Sequence, residues 1–244
     1  MNTSIGKMIY EGKAKKVFQY SDDAEKVFLE FKDSLTAFNA QKKGSFDNKG
    51  PINRDIAVLI FEYLEKKGIQ SHFLESIGER GMLVQQVTII PFEVVVRNWL
   101  AGSTAKKLGI AEGKILKKPL VEFYLKNDDL ADPFVSDDQM LMMELIKSEE
   151  IVQLKELALK INGHLVALFE RMNLTLVDFK IEFGKNKKNE IILADEITPD
   201  CCRLWDKTTQ EKYDKDRFRR DLGSVKESYI EVLNRMKKVE GGLS

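Results

Sequence analysis

The first third of the chain alternates short apolar runs with polar punctuation. Residues 16–20, 25–31, 71–76, 82–87 and 92–98 are rich in aromatic and β-branched side chains. Asp22-Asp23, Gly78-Glu-Arg-Gly81 and Pro91 separate them, so each run predicts a strand and the set predicts a largely antiparallel sheet. Over residues 51–67 the period changes: Ile52, Ile56, Leu59, Ile60, Tyr63 and Leu64 recur at three- and four-residue spacing, and Gly68 follows as a stop. That helix is expected to cover one sheet face. A strand over 120–126 and an acidic loop over 127–138 open the second half. A long helix is predicted over 149–172, with Ser148 as its N-cap, Glu149 and Glu150 in its first turn, and Ile151, Leu154, Leu157, Ile161, Leu165 and Leu168 on one stripe. Strands over 175–183 and 190–197 follow, joined by a polar turn. A last helix is predicted over 214–238, apolar at 218, 222, 225, 229, 232 and 236; barely three heptads favour packing within the chain over a coiled coil.

Composition narrows the function class. With 39 basic and 39 acidic residues among 244, the chain carries no net charge, which removes the electrostatic footprint of a nucleic-acid or anionic-membrane binder. A 43% hydrophobic content is that of a chain with a core. No apolar run approaches the roughly 18 residues of a membrane span, and the first twenty residues lack the pattern of a signal peptide. The two cysteines, Cys201 and Cys202, are neighbours and cannot form an ordinary structural bridge, so a reducing cytoplasm is the expected home.

Several segments carry candidate chemistry. In Tyr10-Glu-Gly-Lys-Ala-Lys-Lys16, a glycine before a strand allows close approach of backbone amides to a polyphosphate, and Lys13 and Lys15 project on one face; a solvated lysine-rich strand edge has the same pattern. The strand through Val177, Phe179, Ile181 and Phe183 leaves Asp178, Lys180 and Glu182 on its opposite face. The next strand ends in Ala194-Asp-Glu-Ile-Thr-Pro-Asp200. If Phe183 pairs with Glu190, Asp195 lies opposite Asp178, and a one-residue bulge puts Glu196 there instead. Carboxylates on adjacent strands suit magnesium bound to nucleotide phosphates, or equally a salt-bridge ladder. Arg97-Asn-Trp-Leu-Ala-Gly-Ser-Thr104 sets a guanidinium near a capped helix start, which is either an anion site or a plain strand-to-helix turn. Arg203, Arg217 and Arg219 sit near further acids.

What is missing also informs. The chain has no Gly-x-x-x-x-Gly-Lys-Ser/Thr loop, no Gly-x-Gly-x-x-Gly fingerprint, no Gly-x-Ser-x-Gly elbow and no Cys/His metal spacing. His72 and His164 are isolated and read as structural. Hydrolase triads and zinc chemistry recede.

In order, Tyr10-Glu-Gly-Lys-Ala-Lys15, Val95-Val-Arg-Asn98 with Ala101-Gly-Ser103, Leu125-Lys-Asn-Asp128 with Asp132-Pro133, Val177-Asp-Phe-Lys-Ile-Glu-Phe-Gly184, Asp195-Glu-Ile-Thr-Pro-Asp200 with Arg203-Leu-Trp-Asp206, and Asp214-Lys-Asp-Arg-Phe-Arg219 resemble the SAICAR synthetase family over residues 7–238. The resemblance implies an α/β (α+β) fold related to ATP-grasp proteins. It places an N-terminal antiparallel sheet lobe, residues 1–90, against a larger C-terminal α/β lobe, residues 91–244, with ATP in the cleft. The activity implied is the purine (IMP) biosynthesis ligase step: carboxyaminoimidazole ribonucleotide (CAIR), L-aspartate and ATP give the succinocarboxamide SAICAR, ADP and phosphate. Family members commonly form homodimers.

By resemblance, Lys13, Ala14 and Lys15 cover the nucleotide phosphates, Glu182 and Asp195 bind magnesium, and Arg97, Ser103 and Arg203 contact the ribonucleotide, mainly its 5′-phosphate. Lys126, Asp132, Asp178, Lys180, Lys215 and Arg219 match blocks lining the same cleft, with the aspartate carboxylates expected near Lys180 and Arg219. Some members carry Gly-Asp-Gly where this chain has Phe38-Asn-Ala40, so Asn39 replaces an acidic group there. The other readings of the same cleft are a small-molecule kinase, which needs no aspartate, and a noncatalytic nucleotide-binding module, which the retained Glu182 and Asp195 oppose.

Overall fold

A computed structural model describes residues 5–37 and 41–241; the Asn39 position lies outside the described residues. Strands β1 (Ile5–Glu11), β2 (Lys15–Tyr20) and β3 (Lys26–Phe31) form a meander. A small hairpin of β4 (Ser34–Ala37) and β5 (Lys42–Ser45) follows, then helix α1 (Lys49–Glu65), β6 (Phe73–Ile77) and β7 (Gly81–Gln85). The first sheet is five-stranded and antiparallel, in the order β1-β2-β3-β7-β6. Helix α1 buries Ile52, Ile56, Ile60 and Leu64, the stripe its spacing predicts, and it starts two residues earlier than expected. Pro51 stays tolerable because it falls in the first turn, where a backbone N–H has no helical acceptor.

The second sheet begins with β8 (Thr88–Leu100), then helix α2 (Gly102–Leu108), β9 (Lys114–Leu125), β10 (Phe134–Val135), and helices α3 (Asp137–Met142) and α4 (Ser148–Arg171). Strands β11 (Leu174–Lys185), β12 (Ile191–Ala194) and β13 (Cys202–Asp206), with helices α5 (Asp216–Arg219) and α6 (Val225–Gly241), complete the chain. The six-stranded order is β10-β9-β8-β11-β12, with β13 also on β11. No described helix is long and apolar enough to cross a membrane. The two sheets meet where Ser71 bridges Leu193: His72 N donates to the Leu193 carbonyl at 2.8 Å and Leu193 N to the Gln70 carbonyl at 3.1 Å.

Four expectations are corrected. Strand β8 runs through Pro91 instead of starting after it, because its pairing to β11 shifts between Ile89 and Glu93 and the missing N–H falls inside that irregularity. Helix α4 begins at Ser148 with Lys147 as its cap residue, since the Glu150 carboxylate accepts the Lys147 N–H at 3.1 Å. The last predicted helix is two: Asp221, Gly223 and Ser224 all have positive φ, so α5 ends before α6 and Leu222 is exposed rather than part of the apolar stripe. The fourth is the register of β11 against β12. Phe183 faces Leu193 and Glu182 faces Ala194, so the ladder runs on to Lys185 opposite Ile191, the turn moves to residues 186–190, and Asp195 leaves the sheet beyond Glu182 instead of facing Asp178.

Candidate functional site

Strand β11 is the shared support of the site. Its first half pairs with β13 and its second half with β12 on the same edge, so the intervening residues 195–201 must detour off the sheet. Lys180 N donates to the Cys201 carbonyl at 2.8 Å where that edge is otherwise vacated. The detour starts at Asp195, whose φ of 61° lies in the left-handed region that an aspartate tolerates better than most residues. It places Asp195, Glu196 and Asp200 on the floor of a cleft of about 970 Å³ between the two sheets.

On the sheet itself the expected alternation holds for Asp178, Lys180 and Glu182, which all line this cleft. A bulge between Leu176 and Asp178 interrupts the apolar face, and Val177 packs with Ala101 and Trp205 apart from Phe179, Ile181 and Phe183.

At one end, cations from β2 and the turn before it reach across to carboxylates on the segments that follow β9 and β12. Lys15 Nζ lies 2.5 Å from Asp195 Oδ1 and 3.5 Å from Glu196 Oε2, and Lys13 Nζ lies 2.6 Å from Asp128 Oδ1. Glu182 pairs with Lys126 and lies 3.6 Å from Lys180, whose Nζ also lies 2.5 Å from Glu93 Oε1. Burial works to lower the Lys15 pKa, but the facing charges of Asp195 and Glu196 outweigh it and raise it. Lys180 is raised in the same way by Glu182 and Glu93. The Asp195 carboxyl stays well below the usual range because Lys15 and Lys180 override its burial. Burial pushes Glu196 up, and its Oε2 makes no hydrogen bond. His72 is neutral: burial drives its pKa to about 4, and its Nε2 lies 3.1 Å from the Asp195 carbonyl.

The other end is a charge-alternating row across four strands. Glu122 on β9 accepts from Arg97 Nε on β8 at 2.7 Å, Arg97 Nη1 donates to Asp178 on β11 at 2.7 Å, and Arg203 Nη1 on β13 donates to the same carboxylate at 2.8 Å. Asp216 continues the row, accepting from Arg203 Nε at 3.0 Å and Arg219 Nη1 at 2.5 Å. Gly102, at φ 62°, lets the Arg203 guanidinium close on its Cα: an added Cβ would sit 2.3 Å from Nη2.

Lys13, Ala14, Lys15, Arg97, Lys126, Asp132, Asp178, Lys180, Glu182, Asp195, Arg203, Lys215 and Arg219 all line the one cleft. Ser103 does not; it is exposed on α2, and its neighbour Thr104 is the buried hydroxyl. Sequence reasoning missed Glu93, Glu122 and Lys49. A lone carboxylate inside the apolar run Phe92-Glu-Val-Val-Val96 was the available signal for Glu93, and Glu122 in Leu120-Val-Glu-Phe123 was the same kind of signal. Lys49 carried none, since its burial depends on contact with residue 200.

Among the described residues no group of three metal-ligating side chains is preformed. The carboxylates of Glu182 and Asp195, beside the unbonded Glu196 Oε2, are nevertheless a hard-oxygen donor set that fits magnesium arriving with nucleotide phosphates.

The model of the family described as SAICAR synthetase matches residues 8–236. The phosphoribosylaminoimidazole-succinocarboxamide synthase of Shouchella clausii is 51% identical over 238 residues, 98% of each chain. That of Nautilia profundicola is 54% identical over 235 residues, covering 96% of this chain and all of the relative. Among solved structures, the synthase from Ehrlichia chaffeensis superposes with a TM-score of 0.92 at 44% identity, covering 95% of this chain and 98% of its own. A SAICAR synthetase in complex with ADP gives 0.91 at 44% identity, covering 94% and 97%. Fold and cleft are thus those of an ATP-dependent ligase of purine biosynthesis. The chain belongs to the SAICAR synthetase family.

Proposed function

We propose that this chain joins the carboxylate of CAIR to the amine of L-aspartate, with ATP converted to ADP and phosphate. The observation that carries the proposal is one continuous cleft holding lysines and carboxylates at one end and the Arg97–Asp178–Arg203 row at the other. A triphosphate suits the first end, and the 5′-phosphate of the ribonucleotide suits the second. The two sheets act as lobes, with the expected boundary at 90/91 moved back to the start of β8 at Thr88 and the nucleotide between them as in ATP-grasp relatives.

An amine does not displace oxide from a carboxylate at neutral pH, so the carboxylate is first phosphorylated to an acyl phosphate, which the aspartate amine attacks. Lys13, Ala14 and Lys15 cover the phosphates, and Lys15 and Lys180 meet negative charge as it shifts to the leaving ADP. Glu182 and Asp195 would hold magnesium, which offsets phosphate charge during transfer. Arg97 and Arg203, with Ser103 at the rim, fix the ribonucleotide. Asp178 orients both arginines. Lys126, Asp132 and Lys215 line the same cleft, and Lys180 with Arg219 receives the aspartate carboxylates. Substrates that fill the cleft keep water from the activated acyl group. No protein nucleophile is needed. The family resemblance extends the proposal to a cytoplasmic homodimer, which light scattering on the purified protein tests.

The deciding experiment is ADP release with ATP and magnesium, adding CAIR and L-aspartate separately and together, with product mass read in parallel. Release that needs both, with SAICAR formed, is the expected result. Release with CAIR alone and no amide formed would make the enzyme a kinase, and ATP binding without turnover would make it a binding module.

A further inference from the structure

Glu122 lies behind the proposed phosphate end rather than in it. It is 8% exposed on β9, and it does not line the cleft. Its Oε2 accepts from Arg97 Nε at 2.7 Å and from Tyr124 Oη at 2.9 Å, and Thr104 Oγ1 on α2 lies 3.4 Å from both of its oxygens. Arg97 is itself 4% exposed and gives Nη1 to Asp178 at 2.7 Å. The two carboxylates therefore grip the guanidinium from opposite sides. A planar fork held at Nε by Glu122 and at Nη1 by Asp178, with Tyr124 Oη 3.4 Å from Nη2, has its rotation fixed, and Nη1 and Nη2 each keep a further N–H for a ligand in the cleft.

We infer that Glu122 is a positioning residue for the ribonucleotide's phosphate: it sets the Arg97 guanidinium and ties it to Thr104 on α2, so that an incoming phosphomonoester meets donors already aligned. The inference rests on the reading of Arg97 and Arg203 as the phosphate end. Charge alone predicts the opposite sign. Deleting a carboxylate beside Arg97 leaves the pocket more positive and tightens an anion, whereas losing the grip leaves a long side chain to be ordered on binding and weakens it.

The test uses Glu122→Met, which keeps the length and removes the acceptors, and Glu122→Gln, which keeps an acceptor. Each is assayed with CAIR and with its dephosphorylated riboside against saturating ATP and L-aspartate, and KM for ATP and for L-aspartate is then measured at saturating CAIR. E122M is expected to raise KM for CAIR about tenfold, to leave KM for ATP within twofold and to leave kcat/KM for the riboside unchanged; E122Q is expected to recover most of the loss. An unchanged or lower KM for CAIR in E122M overturns the inference, as does a parallel rise in all three KM values, which marks a structural effect. Arg97→Met separates the two levels. If R97M raises KM for CAIR and E122M does not, the positioning role fails while the phosphate end stands; if R97M also leaves it unchanged, the phosphate end itself fails. Should E122M not fold, Glu122→Asp carries the test, since it draws the acceptor back by one methylene: a threefold rise in KM for CAIR supports the inference and no rise overturns it.

Discussion

Replacing Lys49 with Met breaks an ion pair that folding has taken out of water. The Lys49 side chain is 1% exposed and that of Asp200 is 7% exposed, and their contact ties the first turn of α1 to the cleft floor. Asp200 also accepts from Tyr229 Oη at 2.7 Å and Asn53 Nδ2 at 3.0 Å. Both neutral donors survive in K49M, but the larger of the two charges that offset burial of the carboxylate does not. Burial alone raises the Asp200 pKa; in the native protein Lys49 and Lys215 outweigh it and hold the carboxyl well below its ordinary value. Removing one partner of a buried pair costs roughly 3–5 kcal/mol, and the two retained hydrogen bonds place K49M near 3. In a chain of this size about 1 kcal/mol moves Tm by about 2–4 °C, so K49M should melt about 6–12 °C lower at pH 7. The pH dependence has a definite sign. A depressed folded pKa contributes stability that is complete above the ordinary value of 3.8 and is lost as pH falls below it; K49M keeps only the Lys215 and Tyr229 parts of the depression, so its deficit is the same at pH 5 as at pH 7 and smaller at pH 3 than at pH 7. The double variant K49M/D200N removes the stranded charge and should regain at least about 1 kcal/mol over K49M. Calorimetry and urea midpoints at these pH values measure all three proteins. A Tm loss below 2 °C, or a double variant no more stable than K49M, would refute the reasoning.

Three further outcomes follow from the same geometry. Glu182→Gln and Asp195→Asn should each abolish ADP release while Tm stays within a few degrees of wild type, since Asn tolerates the positive φ at 195; near-normal rates in both would remove the metal assignment. Gly102→Ala should destabilise by about 1–2 kcal/mol through its left-handed backbone and raise KM for CAIR more than for ATP, because the new methyl displaces Arg203; equal KM values in assay would count against that contact. Asp214 is fully buried, and burial with the neighbouring Asp216 charge pushes its pKa up to about 7. A raised folded value means that its stabilising contribution is full below about pH 4 and lost as pH rises through 7. Wild type should therefore lose Tm between pH 5 and pH 8 more steeply than Asp214→Asn, and parallel melting curves would show that the group does not titrate in that window.

Local signals in the sequence carried most of the elements. The stripe of α1 and the alternation of Asp178, Lys180 and Glu182 are short-range patterns, and the structure keeps both. The boundaries that failed did so where distant contacts intervene. Residues 214–238 read as one helix because their apolar spacing barely falters, yet the buried Asp214 carboxylate accepts backbone N–H groups of Leu204 and Asp216, which locks the approach to α5 and leaves the positive-φ turn at 221–224 to restart the chain. Pro91 read as a strand end because a lone sequence cannot show that its missing donor falls at an irregularity of the ladder.

By itself the sequence determined the family and the acid- and lysine-bearing segments, because motifs and periodicity are written in residues a few positions apart. Only the tertiary structure decided that Asp195 lies beyond Glu182, that Lys15 from the first sheet meets it, and that Glu122 and Lys49 stand behind the cleft. The side-chain contacts among these join residues 25 to 180 positions apart. They follow from strand register and from the loop at 195–201, and register is set by how two whole faces bury together, a quantity no single segment contains.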